Sequence, residues 1–149
     1  MITFRITSTS FSDGGAIPAK HTCQGENTKE PLRFDGVPKG TVSMALVMDD
    51  PDAPVGVWDH WLLWNIDAQT RDIKEHSVPS NAVQGKNGWG MSRYGGPCPP
   101  SGTHRYTFTA YALDKTVDLA EGSTKRDLER AMEGRIIGKT VLVGTYRKE

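Results

Sequence analysis

Hydrophobic and polar residues alternate along three short stretches of the chain. Near the N-terminus, Ile2, Phe4 and Ile6 alternate with polar residues. The same two-residue period recurs over residues 42–48 and again over residues 106–112. Successive side chains of a strand point to opposite faces, so a period of two predicts strands with one buried face.

Two further stretches are apolar with little alternation. Residues 60–66 read HWLLWNI, and residues 140–146 read TVLVGTY. A short apolar run of this kind is typical of a strand that is covered on both faces. We therefore expect both runs to form central strands of a sheet.

One segment has the signals of a helix. Thr124 can cap the N-terminus with Asp127 three residues later, and Gly134 provides a stop. Leu128, Ala131 and Met132 follow helical spacing, which places the three side chains on one face. The segment predicts one short helix in the C-terminal region that packs against a sheet.

Turn-forming residues dominate what remains, with 16 Gly and 9 Pro in the 149 residues. Long polar loops are expected at residues 13–27, 51–59 and 78–103. A loop as long as the third is usually functional or disordered, and its aromatic residues favour an ordered, functional loop. The pattern predicts a mainly β fold with long loops in a single domain over residues 1–149.

Charge and composition exclude several classes of protein. The 18 basic and 18 acidic side chains balance, so we expect no nucleic-acid partner and no attraction to anionic membranes. No stretch approaches 18 apolar residues, and residues 1–10 lack the apolar core of a secretory signal. These features predict a cytoplasmic protein without stable membrane insertion.

The cysteines are expected to be reduced, and two of the histidines are expected to lie at the surface. Cys23 and Cys98 are too few and too far apart for a disulfide framework or a thiolate metal site, so reduced thiols are expected. His21 and His76 lie in polar loop segments and are interpreted as surface residues.

Candidate chemistry is concentrated where expected strands meet loops. Residues 50–54 (DPDAP) crowd carboxylates onto a turn stiffened by proline. His60 opens an apolar strand beside two tryptophans. Gly95 and Gly96 would let the backbone approach a ligand closely, and residues 104–106 (HRY) offer donors suited to an oxyanion.

These segments together resemble the phosphatidylethanolamine-binding protein family, which includes Raf kinase inhibitor protein. The likeness rests on DPDAP at 50–54, HW at 60–61, and GP at 96–97 followed by HRY at 104–106. Residues 22–27 (TCQGEN), 85–90 (GKNGWG), 111–114 (YALD) and 144–147 (GTYR) are similar to the short bacterial and archaeal branch. Two departures are residues 27–32 (NTKEPL) and Asp59, which precedes His60 and could alter the charge of the pocket.

The resemblance implies a Greek-key β-sandwich with a cavity for phosphate, a phosphomonoester or a phospholipid headgroup. It implies a binding protein, not an enzyme, with no cofactor and with a kinase or serine protease as candidate partner. Short-branch relatives often pair, which makes a homodimer a further expectation. Asp52 either belongs to the pocket or orients Arg105 by an ion pair. Asp50 is expected to fix a histidine tautomer, to raise that histidine's pKa, or to accept a hydrogen bond from an amine or a protonated phosphate. The expected ligand-binding residues are Asp50, Asp52, Trp58, His60, Tyr94, Gly96, Pro97, His104 and Tyr106.

Two enzymatic alternatives remain open at this point. Asp50, His60 and His104 have the composition of a two-histidine, one-carboxylate metal site, although no metal-binding spacing is present. Alternatively, Cys98 or Ser101 could act as a nucleophile with His104 as its base.

Overall fold

The computed structural model describes residues 3–148. Ile2, in the expected N-terminal strand, and Met1 and Glu149, at the expected domain limits, lie outside this range. A five-stranded antiparallel sheet has the order β6-β4-β3-β7-β8. Its strands are β3 (Ser43–Asp50), β4 (Trp58–Asp67), β6 (Val83–Gln84), β7 (Thr103–Leu113) and β8 (Ile136–Arg147).

A smaller antiparallel sheet covers one face of the five-stranded sheet. It has the order β1-β2-β5, with β1 at Arg5–Thr7, β2 at Leu32–Asp35 and β5 at Asp72–Ile73. Phe34 and Ile73 of the small sheet share a buried cluster with Trp61 and Phe108 of the large one. The mainly β sandwich expected from the sequence is therefore confirmed.

The single α-helix of residues 3–148, α1 (Lys125–Met132), lies on the opposite face of the large sheet. Leu128 and Met132 are buried against apolar side chains of β3 and β4. Thr124 Oγ1 accepts a hydrogen bond from the Asp127 amide, and Asp127 Oδ2 accepts one from the Thr124 amide. The predicted capping box is confirmed, and no helix within residues 3–148 has the length and apolar character needed to cross a bilayer.

The predicted positions of the strands in the sheet are correct for some strands and wrong for others. β4 is buried on both faces, as its apolar run predicts. β3 is buried on both faces as well, because its alternate positions Ala45 and Val47 are also apolar. β8 is an edge strand and not a central one, and Val141 is 43% exposed. Its apolar run reflects partial cover by the loop at residues 13–17, whose Ile17 amide donates to the Thr145 carbonyl.

Cys23 and Cys98 form a disulfide, so the expectation of reduced thiols is wrong. Their separation of 75 residues gives no indication of their proximity, which arises when the fold brings two loops together. The same loops are joined by hydrogen bonds from the Cys23 amide to the Pro97 carbonyl and from the Gly96 amide to Asn27 Oδ1. Disulfides persist mainly in oxidising compartments and in intracellular proteins of hyperthermophiles, and the cytoplasmic location stays a prediction.

His21 is a buried core residue, which corrects its interpretation as a surface histidine. Its Nδ1 donates to the Thr28 carbonyl at 2.9 Å, and its Nε2 accepts from Ser10 Oγ at 3.1 Å. Burial lowers the pKa of His21, so the imidazole is neutral and serves as a bridge between loop segments. His76 is exposed, as predicted.

Glu30 is a buried carboxylic acid. The Tyr94 hydroxyl lies 2.7 Å from the His21 carbonyl oxygen and 3.1 Å from Glu30 Oε2. A phenol has one proton and a carbonyl can only accept, so Tyr94 donates to His21 and Glu30 must donate to Tyr94. Burial raises the pKa of Glu30 to about 8, in agreement with this count of protons. The protonated Glu30 thereby holds the loop that carries Tyr94.

The disulfide should make a large contribution to stability. Replacing both cysteines, Cys23→Ser with Cys98→Ser, should lower the free energy of unfolding by about 2–4 kcal/mol, because closing a long loop restricts the unfolded chain. Urea unfolding monitored by tryptophan fluorescence measures the difference. Dithiothreitol should destabilise the original chain and leave the double variant unaffected. Equal stability of the two chains without reductant would contradict the prediction.

The buried Glu30 should make stability depend on pH in a defined window. Its folded-state pKa of about 8 lies above the ordinary value of 4.5, so its contribution to stability is fully present below pH 4.5. That contribution is lost as pH rises through 8. Relative to Glu30→Gln, the original chain should lose on the order of a few kcal/mol of unfolding free energy between pH 5 and pH 9.

Urea unfolding of both chains at several pH values measures this loss. Glu121→Gln, at an exposed turn, is the matched control and should follow the pH dependence of the original chain. Parallel curves for the original chain and Glu30→Gln would show that Glu30 is not protonated in the folded state.

Candidate functional site

The ends of three neighbouring strands lie together at one end of the large sheet and enclose a cavity of about 240 Å³. β3 lies between β4 and β7 in antiparallel pairing, so its C-terminal end is flanked by the N-terminal ends of both neighbours. Asp50 ends β3, while the other polar residues begin β4 and β7. The cavity is lined by Asp50, Ala53, Pro54, Val55, Trp58, His60, Trp89, Cys98, Pro99, Pro100, His104 and Tyr106.

A β-bulge directs His60 into the cavity. Met48 pairs with Trp61 and Asp49 pairs with Asp59, which leaves His60 without a partner on β3. Cross-strand partners share a face, so Asp59 lies with Asp49 on the helix side of the sheet. The extra residue allows His60 to face the opposite side, where Asp50 and its pair Trp58 lie.

The bulge also removes Asp59 from the pocket. Lys125 Nζ lies 2.8 Å from Asp59 Oδ1 and 3.3 Å from Asp49 Oδ2, so the helix neutralises this pair of carboxylates. The expectation that Asp59 adds charge to the pocket wall is therefore corrected. Asp50 is the carboxylate that lines the cavity.

Asp50 and His104 form a short, buried hydrogen bond. His104 Nδ1 lies 2.6 Å from Asp50 Oδ2, and Asp50 Oδ1 accepts a hydrogen bond from the Asp52 amide at 2.8 Å. Because an ionised carboxylate only accepts, the proton between the pair resides on Nδ1 of the imidazole. This arrangement fixes the ring and leaves His104 Nε2 for a ligand, and it gives Asp50 the orienting position expected of it.

His60 is oriented by the backbone of the long loop. Its Nδ1 donates to the Gly95 carbonyl at 2.7 Å. Burial lowers the pKa of His60, so the ring is neutral and its Nε2 carries a lone pair. A neutral imidazole in this tautomer accepts a hydrogen bond at Nε2, whereas a cationic ring would donate one.

Tyr106 brings an unused donor to the cavity. Its hydroxyl is buried and has no hydrogen-bond partner of good geometry among residues 3–148, although the Cys98 backbone is near enough to affect its pKa. Burial and the charges of Asp50 and Asp52 raise the pKa of Tyr106, so the phenol keeps its proton. The ring lies edge to face with His60, with centroids 5.2 Å apart. A buried donor without a partner is costly unless a ligand or water completes it.

Asp52 supports the loop and does not line the cavity. Arg105 donates from Nε to Asp52 Oδ2 at 2.9 Å and from Nη2 to Asp52 Oδ1 at 2.8 Å. These hydrogen bonds lower the pKa of Asp52 to about 2. Of the two roles considered for Asp52, the ion pair with Arg105 is therefore the one that the geometry has. It anchors the loop of residues 51–57 to the start of β7.

Gly96, Pro97 and Tyr94 lie outside the small cavity, although Gly96 and Tyr94 line a larger cavity beside it. The Gly96 amide donates to Asn27, so it is not free for an anion. Pro97 has no amide proton to offer, and its carbonyl accepts from the Cys23 amide. A Cβ on Gly96 would come within 2.2 Å of Asn27 Oδ1 and of the His21 carbonyl oxygen. Glycine at position 96 is therefore required by the close packing of two loops, which corrects the anion-binding role expected for this part of the loop backbone.

Several wall residues were not predicted from the sequence. Trp89, Pro99 and Pro100 come from the long loop, and the aromatic residue in a glycine-rich segment was the only available signal for any of them. Cys98 also lines the cavity, but its sulfur is in the disulfide. No thiolate nucleophile is therefore present, and Ser101, the other nucleophile considered, is exposed and outside the cavity wall.

The polar groups of the cavity do not form a set of metal ligands. Asp50 forms a hydrogen bond with His104 Nδ1 and orients that ring, so the two side chains are hydrogen-bond partners and not two ligands of one metal ion. Across residues 3–148, no three His, Cys, Asp or Glu side chains are close enough together to hold a metal ion.

Comparison with known proteins gives a consistent family. Residues 7–147 match the family described as phosphatidylethanolamine-binding protein. A UPF0098 protein of Methanothermobacter thermautotrophicus is 47% identical over 144 residues, covering 93% of this chain and 95% of that protein.

Two crystal structures are also similar. A phosphatidylethanolamine-binding protein homologue from Chlamydia trachomatis has a TM-score of 0.95 and 41% identity, covering 99% of both chains. YbcL of Escherichia coli, described as a new member of the mammalian PEBP family, has a TM-score of 0.91 and 30% identity, covering 99% of this chain and 100% of its own. The chain therefore belongs to the phosphatidylethanolamine-binding protein family.

Proposed function

We propose that this protein binds a small oxyanion, a phosphate or phosphomonoester, in the cavity between Asp50, His60, His104 and Tyr106. The observation that carries the proposal is the buried Tyr106 hydroxyl, which has no hydrogen-bond partner among residues 3–148. It lines a small cavity in which two oriented imidazoles converge. An anionic oxygen would accept the Tyr106 proton and remove the cost of the unpaired donor.

The preferred ligand carries a proton of its own. Tyr106 donates, but the neutral His60 accepts at Nε2, and the Asp50 carboxylate lies in the same wall. A phosphomonoester dianion has no proton left, so it offers acceptors only, and it is repelled by Asp50. A monoanion such as a singly protonated phosphomonoester provides both acceptor oxygens and a donor. A zwitterion such as O-phosphorylethanolamine satisfies the same pattern through its ammonium group.

Binding, and not catalysis, is the proposed activity of the cavity. Asp50 and His104 have the geometry of an oriented general base. The cavity-lining residues, however, include no serine or threonine, and the one cysteine is in a disulfide. A ligand-binding role is consistent with the family. The proposal also includes regulation of a kinase or serine protease, for which the resemblance to the family is the support.

Removing the Tyr106 hydroxyl should weaken anion binding without weakening the fold. Tyr106→Phe should lower the affinity for phosphate and O-phosphorylethanolamine on the order of tenfold, because a hydrogen bond to a charged group is lost. Its free energy of unfolding should stay the same or rise, since no protein partner is lost. Isothermal titration calorimetry and urea unfolding measure the two effects.

Tyr111→Phe is the matched control, because Tyr111 is a half-buried tyrosine of the same strand that packs against the cluster on the helix face. It should bind both ligands with the affinity of the original chain. Unchanged affinity in Tyr106→Phe would contradict the proposed site.

Phosphomonoester binding should weaken as pH rises from 5 to 8. The second ionisation of a phosphomonoester has a pKa of about 6, and losing that proton removes the donor that His60 accepts. Methyl phosphate titrated at several pH values tests this. Methyl sulfate, a monoanion with no proton to donate, should bind more weakly than methyl phosphate at pH 5 and lose less affinity as pH rises.

The variant Asp50→Asn should have a smaller preference for the monoanion, because the repelling charge is gone. An affinity of the original chain for methyl phosphate that grows with pH would refute the proposal that the ligand carries a proton.

A further inference from the structure

A second, larger cavity adjoins the proposed anion site. It has a volume of about 620 Å³ and is lined mainly by the segment of residues 87–96, with the Cys23–Cys98 disulfide and residues 26–27 on the other side. Ligand pockets usually have volumes of about 300–1,000 Å³. The small cavity, at about 240 Å³, falls below that range, while its neighbour falls within it.

We propose that the larger cavity holds an aromatic ester group of a phosphomonoester whose phosphate occupies the small cavity. This inference rests on the proposed function, because it names the rest of the ligand that the anion site binds. Trp89 and Cys98 line both cavities. The two cavities are therefore adjacent, and one ligand would occupy both.

Trp89 is positioned between the two cavities. Its ring is edge to face with His60, at a centroid distance of 5.2 Å, and with Trp58 at 5.5 Å. A Cβ on Gly95 would come within 2.4 Å of the Trp89 ring, so glycine lets the indole lie directly over the backbone that orients His60. An aromatic ester group that extends from a phosphate in the small cavity would therefore contact the indole of Trp89.

The wall of the larger cavity is held in place by a buried asparagine. Asn87 Oδ1 accepts hydrogen bonds from the Trp89 amide at 2.9 Å and the Met91 amide at 3.0 Å. Asn87 Nδ2 donates to the Arg93 carbonyl at 2.8 Å. Gly90 completes the turn with a φ of 78°, a conformation that favours glycine. These bonds fix the backbone of the turn that carries Trp89 and Met91, so the wall is ordered before a ligand arrives.

The chemistry of this wall suits an aromatic group. Trp89 is 44% exposed and Met91 is 42% exposed, although both are large apolar side chains on a rigid turn. Indole and thioether groups both make favourable contacts with aromatic rings. The polar groups of Asn87 are already occupied by the turn. Glu26 and Arg93 add charged groups to other parts of the wall, so the apolar surface that an aromatic ring would contact is the part formed by Trp89 and Met91.

Calorimetric titration at pH 6 with inorganic phosphate, O-phosphorylethanolamine and phenyl phosphate tests the inference. Phenyl phosphate should bind on the order of tenfold more tightly than inorganic phosphate, because its ring leaves water for an apolar wall. Met91 lines only the larger cavity. Met91→Ala should therefore weaken phenyl phosphate several-fold and leave inorganic phosphate unchanged.

Val141→Ala, at an exposed apolar position of the edge strand β8, is the matched control and should change neither affinity. As a second readout, the Met91 methyl resonance should shift with phenyl phosphate and not with inorganic phosphate. If inorganic phosphate binds but phenyl phosphate binds no more tightly, or Met91→Ala has no selective effect, the larger cavity is not part of the site. If no phosphate compound binds, the anion site itself fails and this inference with it.

Discussion

The pairing of β3 on both edges, together with its burial on both faces, is the constraint on which the site depends. β4 and β7 each pair with it along most of its length, and its apolar side chains fill both buried clusters. Because both neighbours run antiparallel to it, the end of β3 meets the beginnings of two other strands. Asp50, His60 and His104 converge for this reason, although they are far apart in sequence.

The alternation of side chains across β3 separates two neighbouring carboxylates into different environments. Asp49 faces the helix and pairs with Lys125, while Asp50 faces the cavity and binds His104. The bulge in β4 extends the separation, since it sends Asp59 to the lysine and His60 to the cavity. Of the carboxylates of Asp49, Asp50 and Asp59, only that of Asp50 lies in the pocket, where it contacts the imidazole that it orients.

The loops around the site have little regular secondary structure, and a disulfide and side-chain hydrogen bonds hold them in place. The disulfide, the Asn27 contact with Gly96 and the chain from Glu30 through Tyr94 to His21 join residues 19–30 to residues 94–98. The carbonyl of Gly95, which orients His60, lies within the segment that they secure. Ordering such a loop costs conformational entropy, and these contacts offset that cost before any ligand arrives.

The sequence by itself determined the mainly β fold, the capped helix and the segments that form the cavity. Periodicity, capping residues and turn residues are local signals, and each acts within a few positions of the chain. The pocket members Asp50, His60, His104 and Tyr106 were found because they lie in the family motif, and Trp58 because the resemblance to the family places it among the expected ligand-binding residues.

Only the tertiary structure decided which groups face one another. The bulge that redirects His60, the edge position of β8, the burial of His21 and Glu30 and the disulfide depend on contacts between distant segments. Gly96 and Pro97 belong to the motif, yet their backbone groups are used by Asn27 and Cys23. A linear pattern records which residues are present, whereas their hydrogen-bond partners and protonation are set by neighbours that folding supplies.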